Sequence, residues 1–339
     1  MNVFIRVDAS VEIGTGHVMR CLTLAHRLKK EGKTVAFICR GTEGDCIELI
    51  EQQGFQVYQL SNFQGTLWAY VEEQWEKDAK ETIDILCNFK VAQLIIDHYS
   101  IDIKWEQLIR PFTEQIMVID DLANRQHDCD ILLDQNFYLN METRYEALVP
   151  LNAKLLLGPT YALLREEFIE EKMHIRPFNG KLERLFIFFG GSDPTNETEK
   201  VLFAIKPIIE RYKLSVDVVV GNSNPNKLEI KQICDKIENA YYYCQVNNIA
   251  QLMAQADLAI GAGGATTWER IFLELPSIVI AVAQNQIEVA KAVASTRAIF
   301  YLGTANEVNR EQVLTIVEHL YRDTTELIQI KQNCSNLMS

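Results

Sequence analysis

A histidine stands where a glycine turn passes into a helix: His17, in the stretch DASVEIGTGHVMRC from Asp8 to Cys21. Gly14 and Gly16 permit a tight turn and a close approach of backbone to a ligand. Val18, Cys21, Leu22, Ala25 and Leu28 share one stripe, which predicts an amphipathic helix from about residue 17 to about residue 31. At its first turn the positive end of the macrodipole disfavours a second positive charge, so the neutral imidazole that a general base requires is favoured there. The plainer alternative is a histidine that caps or packs. Arg20 follows one turn later, and LIIDHYSID ends a strand with Asp97, His98 and Tyr99. All four are candidates to touch a substrate, although a satisfied strand-end turn would use the last three equally well.

Two more glycine turns lie in the second half. FGGSDPTNET sets Gly190, Gly191 and Ser192 between a strand and a helix, either as a nest of backbone N–H groups and a hydroxyl for a phosphate, or as a turn capped by Asp193 or Thr195. DLAIGAGGATTWER is more specific. Gly263 and Gly264 follow a strand, Thr266 suits capping or phosphate contact, and Glu269 falls about one turn into the helix, where its carboxylate can accept both hydroxyls of a ribose. Together the two loops predict nucleotide binding. At the next strand-to-helix junction, AVAQNQIEVA offers Asn285 and Gln286 to sugar hydroxyls or a phosphate, unless Asn285 simply caps the helix.

VIDDLANRQHDCDILLDQN crowds Asp120, Asp121, Arg125, His127, Asp128, Asp130 and Asp134 around a strand end. Asp128 and Asp130 spell a formal DxD, a pattern that can hold a divalent cation through a diphosphate. Asp130 leads straight into a strand, however, and the nucleotide loops lie elsewhere, so a hydrogen-bonded network with Arg125 on one carboxylate is expected instead. We expect neither a metal nor a cofactor. A nicotinamide site is disfavoured because Met19 stands where a dinucleotide fingerprint needs its third glycine, and the second strand ends in Arg40 rather than an acid.

Short β-rich runs alternating with helical patterns must position these residues, as in VFIRVDA, TVAFICR, FQVYQL, QLIIDHY, QIMVIDD, DILLDQN and AKLLLGP. That alternation predicts a parallel sheet covered by helices. It lapses between about Glu166 and Arg184, with Pro177 and Gly180, and then restarts from RLFIFFGG. We therefore expect a Rossmann-like domain over 1–167, a linker over 168–183 and a second Rossmann-like domain over 184–339. Composition agrees with a globular enzyme: 48% hydrophobic and 23% charged residues leave no room for a disordered tail or fibre. A net charge of −13 argues against nucleic acid as a partner, and no long apolar run predicts membrane insertion. Without a signal-peptide pattern the chain is read as cytoplasmic, its eight scattered cysteines as free thiols, and a monomer as its favoured state.

In this order, DASVEIGTGHVMRC, DHYSID, VIDDLANRQHDCDILLDQN, FGGSDPTNET, GAGGATTWER and AQNQ resemble the UDP-2,4-diacetamido-2,4,6-trideoxy-β-L-altropyranose hydrolase family of pseudaminic acid biosynthesis and its spore-coat polysaccharide relatives, over about residues 1 to 300. The resemblance implies a GT-B fold, in which two Rossmann-like doubly wound α/β domains face each other across a cleft. It makes His17 the base and assigns the diphosphate and ribose of UDP to Gly190, Gly191 and Glu269. CQVNNIAQLM resembles the stretch that cradles uracil, which makes Val246 and Asn247 candidates, mostly through backbone. Some family members carry a fused acetyltransferase domain, and none is expected in this sequence.

The expected reaction is metal-independent hydrolysis of a UDP-sugar at its anomeric carbon with inversion, with charge on the departing diphosphate met by the helix N-termini after Gly191 and Gly264. Two rivals remain open: a GT-B glycosyltransferase that passes the sugar to an acceptor hydroxyl, and a nucleotide-sugar binding protein without turnover.

Overall fold

The computed structural model describes residues 1–63 and 66–338. The chain forms two compact units, one comprising Met1–Asn136 with Asn140–Leu163, the other Phe137–Leu139 with the chain from Leu164 onward. The first unit holds β1 (Asn2–Val7), β2 (Thr34–Arg40), β3 (Gln56–Leu60), β4 (Val91–Asp97), β5 (Ile116–Ile119), β6 (Ile131–Asp134) and β7 (Lys154–Leu157). They make one sheet in the order β3-β2-β1-β4-β5-β6-β7 with parallel pairing throughout. Alternate residues feed opposite faces: Ile5, Phe37 and Ile95 enter one apolar cluster, whereas Phe4, Ile38, Leu94 and Ile96 enter the other. Both faces are thus buried, which is why these strands read as nearly continuous apolar runs.

One of those faces carries a charged inclusion. Arg6 on β1 and Arg40 on β2 both reach Asp78, at 2.8 and 2.7 Å, on the helix Trp75–Leu86. Arg6 also pairs with Asp8 at 2.6 Å, and the Trp105 indole N–H donates to Asp78. Removing one partner from such a fully buried set costs roughly 3–5 kcal/mol, so these ionic contacts fasten the ends of β1 and β2. Arg40, which ends the second strand where a dinucleotide site would need an acid, is fully buried in this structural role.

The second unit holds β8 (Arg184–Phe188), β9 (Ser215–Val220), β10 (Ala240–Cys244), β11 (Leu258–Ala262), β12 (Ser277–Ala281) and β13 (Phe300–Thr304). Their order is β10-β9-β8-β11-β12-β13, again parallel. The stretch around the expected linker begins with a helix, Glu166–Lys172, whose Phe168 is fully buried in a cluster with Phe186, Val219 and Met253. All eight cysteines are free, and Cys244, on the edge strand β10, is exposed.

In each sheet the strand order reverses direction beside the unit's first strand, between β1 and β4 and between β8 and β11. At such a switch point the loops after the two strands diverge to opposite faces and leave a crevice at their carboxyl ends. Most of the residues singled out for chemistry lie at the ends of those four strands; Val246 and Asn247 follow β10, and Asn285 and Gln286 follow β12.

Candidate active site

In the first unit the switch-point loops run from β1 to the helix Gly16–Lys30 and from β4 onward. The first is pinched shut by a bridge between Ser10 and Gly14, whose amide donates to Ser10 O at 2.8 Å; Gly14 has φ +78°, a conformation that suits glycine. No side chain caps the helix that follows.

His17 sits one residue into that helix and is 8% exposed. Its Nδ1 lies 2.6 Å from Asp97 Oδ1 at the end of β4. Arg20, one turn further on, grips the same carboxylate with Nε at 2.6 Å from Oδ2 and Nη2 at 2.7 Å from Oδ1. Burial by itself pushes the Asp97 carboxyl up, but the charges of Arg20 and His17 outweigh it and hold the group well below the usual carboxylate range. Asp97 is therefore ionised, and a nitrogen 2.6 Å from it must carry the proton between them. In the neutral ring that proton is on Nδ1, and Nε2 keeps its lone pair. Arg20 Nη2, 3.1 Å from Nδ1, is then a second donor sharing Oδ1 rather than a partner of the ring.

Around this pair stand residues from further along the chain. Tyr99 presents its ring edge-on to His17 with centroids 4.5 Å apart, and its hydroxyl donates to Asp121 Oδ1 at 2.7 Å. Asp121 also receives Arg20 Nη1 at 3.0 Å. Trp68 stacks on Tyr99 at 5.4 Å and was not anticipated; it lies on a short helix, Leu67–Glu73, whose apolar spacing is too brief to register. Asp97 and His98, expected to touch the sugar, are each 1% exposed. Asp97 is committed to His17 and Arg20, while His98 accepts the Ser100 N–H at Nδ1 and sets Nε2 3.3 Å from Asp8. Their influence on a ligand must pass through other groups. Arg20 is 9% exposed and similarly committed, which leaves Tyr99 half-buried at the surface of the cluster.

The acidic stretch divides between a brace on Arg110 and a linked set around Tyr145, whose hydroxyl lies 3.2 Å from Asp120 Oδ2 and 3.0 Å from Asp134 Oδ2. Arg125 pairs with Asp120 at 2.7 Å, as its spacing suggested. Asp128 and Asp130 are both held by Arg110, at 3.1 and 2.5 Å, so the formal DxD is an ion-paired brace. Asp134 closes β6 and accepts from Asn136 N, with the Tyr145 hydroxyl 3.0 Å away. Burial first, and then the nearby Asp121 against the opposing Asn136 amide, pushes the Asp134 carboxyl up to about 7. Among the described residues no three acidic, histidine or cysteine side chains gather as a metal would require.

The second unit's switch point is built of backbone. After β8, Gly190 at φ +92° and an exposed Gly191 and Ser192 form the turn. Gly221 after β9 approaches it so closely that a Cβ there would lie 2.2 Å from Gly191 O. Asp193 supplies the cap of the helix Glu197–Tyr212, accepting from Glu197 N and Thr198 N at 2.9 Å each. A carboxylate thus occupies that helix end, the capping use offered above as the alternative for Asp193, while the Gly190–Ser192 turn lies ahead of it. After β11, Gly263 donates to Gln286 Oε1 at 3.3 Å, which also accepts from Val282 N at 3.0 Å. Gln286 thus straps the glycine loop to β12, and Asn285 is exposed within the helix Gln284–Ser295 without capping it. The helix Thr266–Phe272 has no side-chain cap. Its Glu269 is 7% exposed and is held by a partner the spacing did not suggest, Arg165, through two bonds of 2.8 and 3.1 Å. Val246 and Asn247 lie between β10 and the helix Ile249–Gln255, with Asn247 exposed.

Two Rossmann-like units of this order define a GT-B protein. Over 98% of this chain and 94% of the other, the structure matches the crystal structure of MurG from Acinetobacter baumannii with a TM-score of 0.67 at 14% identity, and residues 185–336 match the glycosyltransferase family 28 C-terminal domain. The chain is 31% identical to the UDP-2,4-diacetamido-2,4,6-trideoxy-β-L-altropyranose hydrolase of Campylobacter jejuni over 84% of its own length and 93% of that protein's. It is 24% identical to the spore coat polysaccharide biosynthesis protein SpsG of Bacillus subtilis, over 93% and 87% respectively. The chain belongs to the UDP-2,4-diacetamido-2,4,6-trideoxy-β-L-altropyranose hydrolase family.

Proposed function

We propose that this protein hydrolyses a UDP-2,4-diacetamido-2,4,6-trideoxyhexose at its anomeric carbon, releasing UDP and the free sugar with inversion, in nonulosonic acid or surface polysaccharide biosynthesis. The observation that carries the reading is the His17 imidazole, tied by Nδ1 to an ionised, buried Asp97 at a sheet switch point, in a chain of this family. His17 Nε2 takes a proton from water as the water oxygen bonds to C1, and the bond from C1 to the β-phosphate oxygen breaks with its electron pair passing to UDP. The imidazolium so formed is stabilised by Asp97. The diphosphate is a good leaving group, so the enzyme's task at that end is to meet charge; the Gly190–Ser192 turn and the Gly264–Thr266 stretch supply N–H groups for it. Glu269 reads the ribose, and the Val246–Asn247 backbone reads the base. The enzyme works in this reading as a cytoplasmic monomer, without metal or cofactor.

The test follows the reaction by NMR with a panel of UDP-2,4-diacetamido sugars and no acceptor. Free reducing sugar appearing with UDP, inverted in its first-formed anomer, is the expected result. UDP released only after an acceptor alcohol is added means transfer, and tight binding without turnover means neither.

A further inference from the structure

Arg165 reaches Glu269 from 104 residues away in the chain, and nothing in the reaction as described uses it. Its guanidinium is fixed on every side. Nε and Nη2 fork onto the two oxygens of Glu269 at 2.8 and 3.1 Å, Nη1 meets Glu167 Oε1 at 2.8 Å, and the plane lies over the buried Phe168 ring at 4.8 Å. Glu167 then accepts through Oε2 from Ala250 N, in the first turn of the helix that follows the Val246–Asn248 loop. One arginine therefore joins the Glu269 helix to the chain beside the candidate base loop.

We propose that Arg165 is the positioning residue that makes Glu269 a reader of vicinal ribose hydroxyls; this rests on the assignment of Glu269 to the ribose. A carboxylate that accepts two hydroxyls 1,2 on one ring must present its oxygens in one fixed plane. Left alone, its terminal torsion is broad. A bidentate arginine occupies one lone pair on each oxygen and locks that plane, leaving the second lone pair of each for a hydroxyl. It also offsets a charge that would otherwise repel an anionic ligand such as a nucleoside diphosphate. A lysine can supply the charge but not the planar fork.

Calorimetry with UDP and 2′,3′-dideoxy-UDP separates this from a structural role, since general loosening weakens both ligands alike. The wild type is expected to prefer UDP by roughly tenfold or more, as two hydrogen bonds to a charged group require. In Arg165→Met the preference shrinks to about twofold or less, with Glu269→Gln as the reference for a lost carboxylate. Arg165→Lys, the gentler change should the methionine variant fold poorly, keeps less than half of the wild-type ratio. An unchanged ratio in Arg165→Met, or a full ratio in Arg165→Lys, overturns the positioning role. A wild type that does not distinguish the two ligands overturns the ribose assignment of Glu269 itself, and the proposal with it.

Discussion

The two switch points occupy the same place in the same strand order, yet they are made of different material. In the first unit the crevice is walled by side chains whose charges are buried and paired: His17, Arg20 and Asp97, with Tyr99 and Asp121 beside them. In the second it is walled by glycine turns, one strapping amide and two committed carboxylates, Asp193 capping a helix and Glu269 held by arginine. Buried ionic groups fix a proton's position and direction, which is what acid–base chemistry needs. Backbone N–H groups carry no titratable charge and meet an anion equally well across a wide pH range, which is what holding a diphosphate needs. Topology decides where a ligand can sit, and the local stock of residues decides what is done to it.

That division can be broken by experiment. His17→Phe should lower the rate of UDP release about 10²–10⁴-fold while UDP affinity by calorimetry stays at the wild-type level; equal losses in both would merge the two regions. Asp97→Asn should lower kcat by up to about 10⁴-fold through loss of the fixed tautomer, again with UDP affinity retained, and circular dichroism must accompany it because Arg20 loses a buried partner. An Asp97→Asn enzyme with normal kcat would remove the carboxylate from the chemistry. Asp134→Asn sharpens the contrast more gently. The raised Asp134 keeps its proton in the folded chain between its ordinary value of 3.8 and about 7, where the unfolded chain has lost it. Folded-state proton binding then exceeds unfolded, so this group's contribution to stability falls as pH rises through that window and is flat above it. Replacement by Asn should remove that slope, at most about 4 kcal/mol across the window, in urea melts at a series of pH values; an unchanged slope would show that Asp134 is not its source. Asp97, held low, acts with the opposite sign, its stabilisation being lost as pH falls.

Much of the second region was legible from the chain alone. Glycines that follow an apolar run and precede a helical period are neighbours in sequence as they are in space, so GAGGATTWER announces its own loop. What local reading left open was whether FGGSDP holds an anion or caps a helix, because Asp193 serves the second use with the same residues that would suit the first. The first region was half legible. His17 was marked by its turn, but its dependence on Asp97 spans 80 residues, and Arg165 and Glu269 are still further apart. Asp78 and Tyr145, which anchor buried charges, carry no local mark either, since the partners that give them meaning lie on other elements. Pairings of that kind come from the sheet order, which the alternation of strands and helices implies only as a class.

The meeting of β1 with β4 also has a consequence in time. His17 is made early in the chain, but its orienting carboxylate arrives only after β2, β3 and the helices Leu67–Glu73 and Trp75–Leu86 have been laid down and β4 has docked beside β1. Contacts of such long sequence separation carry a loop-closure cost and form late. A chain emerging from the ribosome can therefore own its histidine helix well before it owns an aligned base, and during refolding the recovery of turnover should trail the recovery of helix.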